Sequence, residues 1–151
     1  MMKPRDFFLQ FSADGVPKPQ GSKVAFLRGK KIVMKESAEG LKEWRDHVAS
    51  AAATHMQYRG LEMLEKTPMS VKLIFAMPRT KAMKPTDPLT MIQRPDIDKL
   101  ERAILDALTG VVFKDDSQVC ILAASKRRCA PNEPPNVFIE VEPVKGPIIA
   151  W

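Results

Sequence analysis

Arg94-Pro95-Asp96-Ile97-Asp98-Lys99-Leu100-Glu101-Arg102-Ala103-Ile104-Leu105-Asp106-Ala107-Leu108-Thr109-Gly110-Val111-Val112-Phe113-Lys114-Asp115-Asp116 reads as an extended entry, one amphipathic helix and a return towards a strand. Pro95 has no amide hydrogen and biases Arg94 towards extended backbone, so the helix starts no earlier than Asp96 or Ile97. Leu100, Ala103, Ile104, Ala107 and Leu108 recur at i, i+3, i+4, i+7 and i+8, which makes one core-facing stripe. Asp98, Arg102 and Asp106, four apart, fall on the opposite face. If Asp96-Ile97-Asp98 is extended, both carboxylates project to one side and share a small volume, because strand side chains alternate with period two. Gly110 ends the helix, Val111 to Phe113 open an apolar strand, and Asp115-Asp116 return two more carboxylates.

Carboxylates a few ångströms apart resist joint ionisation unless a cation or a shared proton relieves them. No His or Cys lies nearby, and hard oxygen donors suit Mg2+, with Mn2+ as its substitute. A structural account stays open beside this one. Asp98 with Glu101 resembles a helix N-terminal capping arrangement, and Asp115-Asp116 fits a polar turn.

Residues 94–119, closing in Asp115-Asp116-Ser117-Gln118-Val119, resemble the signature of the RusA family of Holliday junction resolvases, endodeoxyribonucleases of bacteria and their phages. The family's core reads approximately Asp-x-Asp-Asn-Leu, a helix with a basic residue and Leu-Asp-Ala-Leu, then Asp-Asp-Ser-Gln. Carried over residue by residue, the resemblance implies Asp96, Asp98 and Asp116 as catalytic, metal-binding acids, Asp115 as a neighbouring ligand and Arg102 as catalytic helper. It also implies a magnesium-dependent nuclease of DNA recombination and repair, acting on four-way junctions as a homodimer whose two sites nick opposed strands. Two positions depart from the pattern: Lys99 stands where the family has Asn, and Arg102 where it has Lys. Arginine keeps the charge but presents a planar fork in place of a point charge, which bears on rate or geometry.

A length of 151 residues with 44% hydrophobic content suits one domain with a real core. The net charge of +6 persists although the proposed site concentrates acids, so basic surface lies elsewhere and fits a polyanionic partner. No apolar run approaches the length of a membrane span and no signal-peptide pattern is present, which predicts a soluble, cytoplasmic protein. Cys120 and Cys129 show no metal-ligand spacing and read as buried free thiols. His47 and His55 have no acidic or thiolate companions and read as structural or surface residues.

A first strand is expected over residues 6–12. The loop at 13–23 follows, with two glycines, two prolines and the cations Lys18 and Lys23, a make-up that suits close approach to phosphate and also resembles the RusA loop. Residues 24–27 and 31–34 read as a hairpin with Arg28 and Lys30 at a basic tip. Ser37 is a candidate N-cap for a long helix with Leu41, Trp44, Val48, Ala51, Ala52, His55 and Met56 on roughly one face, and Trp44 reads as core. Residues 70–77 form a central strand. Residues 78–95, with four prolines and Arg79, Lys81, Lys84 and Arg94, read as a DNA-contacting flap that orders on binding. Residues 117–125 are a strand leading to the basic cluster Lys126-Arg127-Arg128, a phosphate contact or a solvated edge. Residues 136–142 are the last strand, and apolar Ile148-Ile149-Ala150-Trp151 docks on this domain or on a partner.

These elements make a single-domain α/β (α+β) fold, a mixed sheet packed against two main helices. The function expected is structure-selective cutting of branched DNA, with a catalytically weak or inactive junction-binding module as the alternative. Phosphatases of the haloacid dehalogenase type also carry Asp-x-Asp, but after a buried apolar strand, whereas Gln93-Arg94-Pro95 precedes it here. A structural protein with an acidic turn accounts least well for so long a motif.

Overall fold

A computed structural model describes residues 2–21, 23–29, 31–36 and 39–147, with backbone alone for 23–28 and 31–36. Pro4 starts a 3-10 turn, Pro4–Asp6, because a residue without an amide hydrogen loses nothing at a helix start. Strand β1 therefore runs Leu9–Asp14, later than alternation alone predicts, although Phe7 is still buried. Next come β2 (Lys23–Arg28) and β3 (Lys31–Glu36), an antiparallel hairpin turning at Gly29 with φ +68°. Helix α1 (Leu41–Arg59) follows, then β4 (Met69–Met77), α2 (Ile97–Leu108), β5 (Val119–Arg128) and β6 (Asn136–Pro143).

The long helix begins at Leu41 with Gly40 at its cap in left-handed conformation, not at Ser37, which lies outside the described residues. Of the face expected, Leu41, Trp44, Val48, Ala52 and Met56 are buried, while Ala51 and His55 are only partly buried. Trp44 is core, as expected, at 5% exposure.

The main sheet has the order β1-β6-β4-β5, with β4 antiparallel to β6 and parallel to β5. A parallel pair needs a crossover, and α2 supplies it. Residues 70–77 are central as expected, and Val71, Leu73 and Phe75 alternate into the core with Val137, Ile139 and Val141 of β6. Helices α1 and α2 pack on each other, α1 also on β1, their apolar stripes joining the sheet in one core. Burying one such Leu, Ile or Phe contributes about 1.5–3 kcal/mol. The mixed sheet with two helices is therefore the α+β domain that the sequence predicts.

Residues 111–113 are not a strand. Val112 and Phe113 are buried in a turn after Gly110 (φ +83°), and Leu64 bridges to Phe113. β5 begins only at Val119, after a 3-10 turn at Asp116–Gln118. Cys129 is buried, but Cys120 on edge strand β5 is exposed, against the expectation for both thiols. The tail at 148–151 lies outside the described residues; just before it, the Val144 amide donates to the Pro68 carbonyl at 2.9 Å.

Candidate active site

Helix α2 starts at Ile97, so Asp96 is its extended N-cap and Asp98 already lies in the first turn. The alternation expected of an extended Asp96-Ile97-Asp98 therefore does not apply, and the two carboxylates line different, adjoining clefts. Asp98 lines a groove of about 270 Å³ with Glu101, Arg102, Leu105, Asp106 and Asp116. Asp96 lines a cleft with Lys18, Arg94 and Lys99. The Asp96 side chain does not cap the helix, and its carboxylate stands 3.9 Å from the Lys99 ammonium.

Five of the groove's six lining residues come from one face of α2. Asp98 to Asp106 spans eight residues, about 12 Å at 1.5 Å per residue. The apolar stripe of α2 pulls Leu100, Ala103, Ile104 and Ala107 inwards, which leaves Asp98, Arg102 and Asp106 on the open side. Asp116 reaches the same groove from the turn before β5. Arg102 makes no hydrogen bond or ion pair among the described residues, so its guanidinium lies among acids without being consumed by one of them. Burial, and then the charge of Asp98, push the Glu101 carboxyl above its ordinary value. The groove thus carries the negative field that a cation would relieve.

The acidic turn is built by hydrogen bonds. Asp115 Oδ1 accepts from the Ser117 amide at 2.8 Å, which is the main cause holding its carboxyl below the usual range. Gln118 Oε1 accepts from the amides of Lys114 (3.0 Å) and Asp115 (3.1 Å). Gln118 Nε2 donates to the carbonyls of Leu64 (3.0 Å) and Thr67 (3.1 Å). The turn is thereby tied to the connection before β4. Asp115 faces a neighbouring cleft with Arg45, Asp46, Asp106 and Asp116, so Asp116 borders both spaces.

Among the described residues, no three of His, Cys, Asp and Glu converge in metal-holding geometry. The donor chemistry of the groove nonetheless fits a hard divalent ion. Four carboxyl-bearing side chains line it, and neither a thiol nor an imidazole does.

The basic residues divide. Lys18 and Arg94 stand at the Asp96 cleft. Lys81 and Lys84 are exposed on the connection between β4 and α2. Arg79 donates to the carbonyls of Cys129 and Lys84 at 2.9 and 2.8 Å. The Lys126 ammonium donates to the carbonyls of Gln93 and Pro95 at 2.8 and 2.9 Å. Arg128 donates to the Pro78 carbonyl and to Gln93 Oε1, and its amide to the Leu89 carbonyl. Arg127 forms a two-pronged pair with Glu133 at 2.7 and 3.0 Å. The connection at 78–95, expected to order on binding, is thus already fastened to β5, with Met91 buried beneath it and a cis peptide at Arg94-Pro95. The side chains of Lys23, Arg28 and Lys30 lie outside the described residues.

Sequence reading did not single out Glu101, Asp106, Arg45 or Gln118 as site residues. Asp106 was findable, since its spacing of four from Arg102 puts it on the open face. Arg45, whose Nη1 stands 3.8 Å from Asp106 Oδ2, comes from α1 and carries no local signal.

Compared with known proteins, residues 14–142 match the family model Endodeoxyribonuclease RusA. A relative in Bacillus subtilis (strain 168), described as "Uncharacterized protein YqaN", is 30% identical over 127 residues, covering 78% of this chain and 86% of the relative.

Proposed function

The chain belongs to the RusA family of endodeoxyribonucleases, and from that membership we propose that it resolves four-way (Holliday) DNA junctions by metal-assisted phosphodiester hydrolysis, in recombination and repair. The observation that carries this reading is the groove in which Asp98, from the start of the motif, and Asp116, from its end, line one space with Arg102 between acids.

Asp98 and Asp116 would hold Mg2+ or Mn2+, with Asp96 and Asp115 flanking in the adjoining clefts and Glu101 and Asp106 completing the oxygen-rich wall. When bound, such an ion supplies Lewis-acid polarisation of the phosphodiester and acidifies water at the site. Arg102 offers the groove a fixed positive charge for the non-bridging oxygens as charge develops on them. Arg45 braces Asp106 from α1. Lys18, Arg94, Lys81 and Lys84, with Lys23, Arg28 and Lys30 on the hairpin, draw the backbone in. Arg79, Lys126 and Arg128, whose donors are engaged within the chain, act chiefly by holding the 78–95 connection in place, while Arg127 is taken up by Glu133.

A homodimer gives two symmetric sites for two opposed strands of a junction. The setting is the cytoplasm of a bacterium or of a phage-infected cell; no helix among the described residues is long and apolar enough to cross a membrane. The reading is tested with a mobile four-way junction and its matched duplex, each with magnesium or with chelator. Paired nicks in the junction that need the metal are expected, and failure to cut any branched DNA would refute it.

A further inference from the structure

We infer that the cleft between the loop at residues 16–21 and the start of α2 holds a backbone phosphate of the DNA strand being cut, with Lys18, Arg94 and Lys99 as its cationic ligands. This rests on the endonuclease reading above and adds to it a second subsite and one further residue, Lys99.

Charge separates this cleft from its neighbours. Three cations face the single carboxylate of Asp96 in a space of about 450 Å³. The Asp98 groove has Arg102 against four carboxylates, and the cleft beyond it has Arg45 against four. A polyanion approaching the acidic groove is repelled there and attracted one step away. The two spaces abut across the first turn of α2, since Asp96 lines one and Asp98 the other. A strand whose phosphate sits in the cationic cleft therefore presents a neighbouring phosphodiester to the acids.

The cleft is also preorganised. The Gln20 amide donates to the Lys99 carbonyl at 2.9 Å, which clips the loop to α2. Arg45 Nη1 donates to Gln20 Oε1 at 3.0 Å, which clips it to α1. Pro17 and Pro19 fix their own φ, and Gly21 leaves the wall without a side chain where a phosphate would approach. Little loop ordering remains to be done on binding, so the three charges act from fixed positions.

Lys99 is available for this task. Its ammonium and the Asp96 carboxylate are 3.9 Å apart, with side chains 42% and 52% exposed. A pair so open to water is weak and gives way readily to a phosphate. The N-terminus of α2 adds its partial positive charge on the same side.

The test uses the full chain and a four-way junction, with binding followed in chelator so that no strand is cut, from 50 to 200 mM salt. Lys99→Gln and Arg94→Gln are each expected to weaken binding roughly three- to tenfold and to make the salt slope shallower by about 0.9. In magnesium they should raise KM while leaving kcat at saturating junction near that of wild type. Lys99→Arg should restore binding, and Lys145→Gln, an exposed lysine outside the cleft, should change nothing. Wild-type affinity and salt slope in a Lys99→Gln protein that melts like wild type would overturn the inference, as would a loss confined to kcat. If Lys99→Gln melts early, Lys18→Gln takes its place under the same two outcomes. Asp98→Asn separates the two proposals: it should abolish cutting without loss of affinity, and undiminished cutting would refute the acidic groove while leaving the binding result to stand alone.

Discussion

Replacing Gln118 with leucine should loosen the acidic turn and thereby the site, without touching any charge. The side chain makes four hydrogen bonds between 3.0 and 3.1 Å, two accepted from the amides of Lys114 and Asp115 and two donated to the carbonyls of Leu64 and Thr67. At about 0.5–1.5 kcal/mol each these sum to several kcal/mol, but the turn is exposed and water recovers part of the loss, which leaves about 2–3 kcal/mol. For a chain of this size that is a fall in Tm of roughly 4–12 °C. Asp116 then samples positions away from the groove, so kcat on a junction should fall at least about tenfold while affinity for the DNA is kept. Gln118→Glu keeps the acceptor oxygens, loses the two donated bonds and brings a negative charge beside Asp115, so it should be destabilised without regaining activity. Thermal unfolding read alongside single-turnover cleavage measures both effects. A Gln118→Leu protein with wild-type Tm and wild-type cleavage would refute the claim that this side chain builds the turn.

Other consequences are as direct. Hydrogen bonding to Arg127 holds the Glu133 carboxyl down to about 2 from an ordinary 4.5. A depressed carboxylate stabilises the fold fully above its unfolded pKa, and that contribution is lost as pH falls from about 4.5 towards 2. Glu133→Gln should therefore lower stability at pH 7 by about 2–3 kcal/mol after allowance for screening, with the gap closing near pH 2 in pH-resolved melts; a gap independent of pH would contradict the pairing. Gly15 has φ +132°, and an added Cβ would lie 3.1 Å from the Trp44 ring, so Gly15→Ala should cost about 1–2 kcal/mol in denaturant unfolding. Equal midpoints would contradict that contact. Arg102→Lys should retain or raise cleavage and Arg102→Ala should lower it about tenfold or more; equal rates in all three proteins would remove Arg102 from the mechanism.

The parts legible in the sequence were those written in periodicity. The stripe Leu100, Ala103, Ile104, Ala107, Leu108 placed α2 and its open face, and the alternation Val71, Leu73, Phe75 placed the central strand. Boundaries set by a single backbone choice were less legible. Whether Asp96-Ile97-Asp98 is extended or already helical turns on one residue, and with the helix starting at Ile97 the two acids part into separate clefts. The same holds at the next boundary, where a 3-10 turn over Asp116–Gln118 takes the place of the strand start expected at residue 117. Long-range pairings left no local trace. Lys126 and Arg128 read as free basic residues until β4 and β5 set them beside residues 78–95, where carbonyls take their donors. The side chains of Lys23 and Arg28, together with Lys30 and the tail at 148–151, lie outside what the structure describes.

We propose that the cut is made in the groove that Asp98 and Asp116 share. Single-turnover cleavage of a pre-bound four-way junction in magnesium by wild type, Asp98→Asn and Asp116→Asn tests it most directly. Both variants should keep junction affinity near that of wild type and cleave more slowly by about 10²-fold or more. Undiminished cutting by either variant, with binding intact, would contradict it.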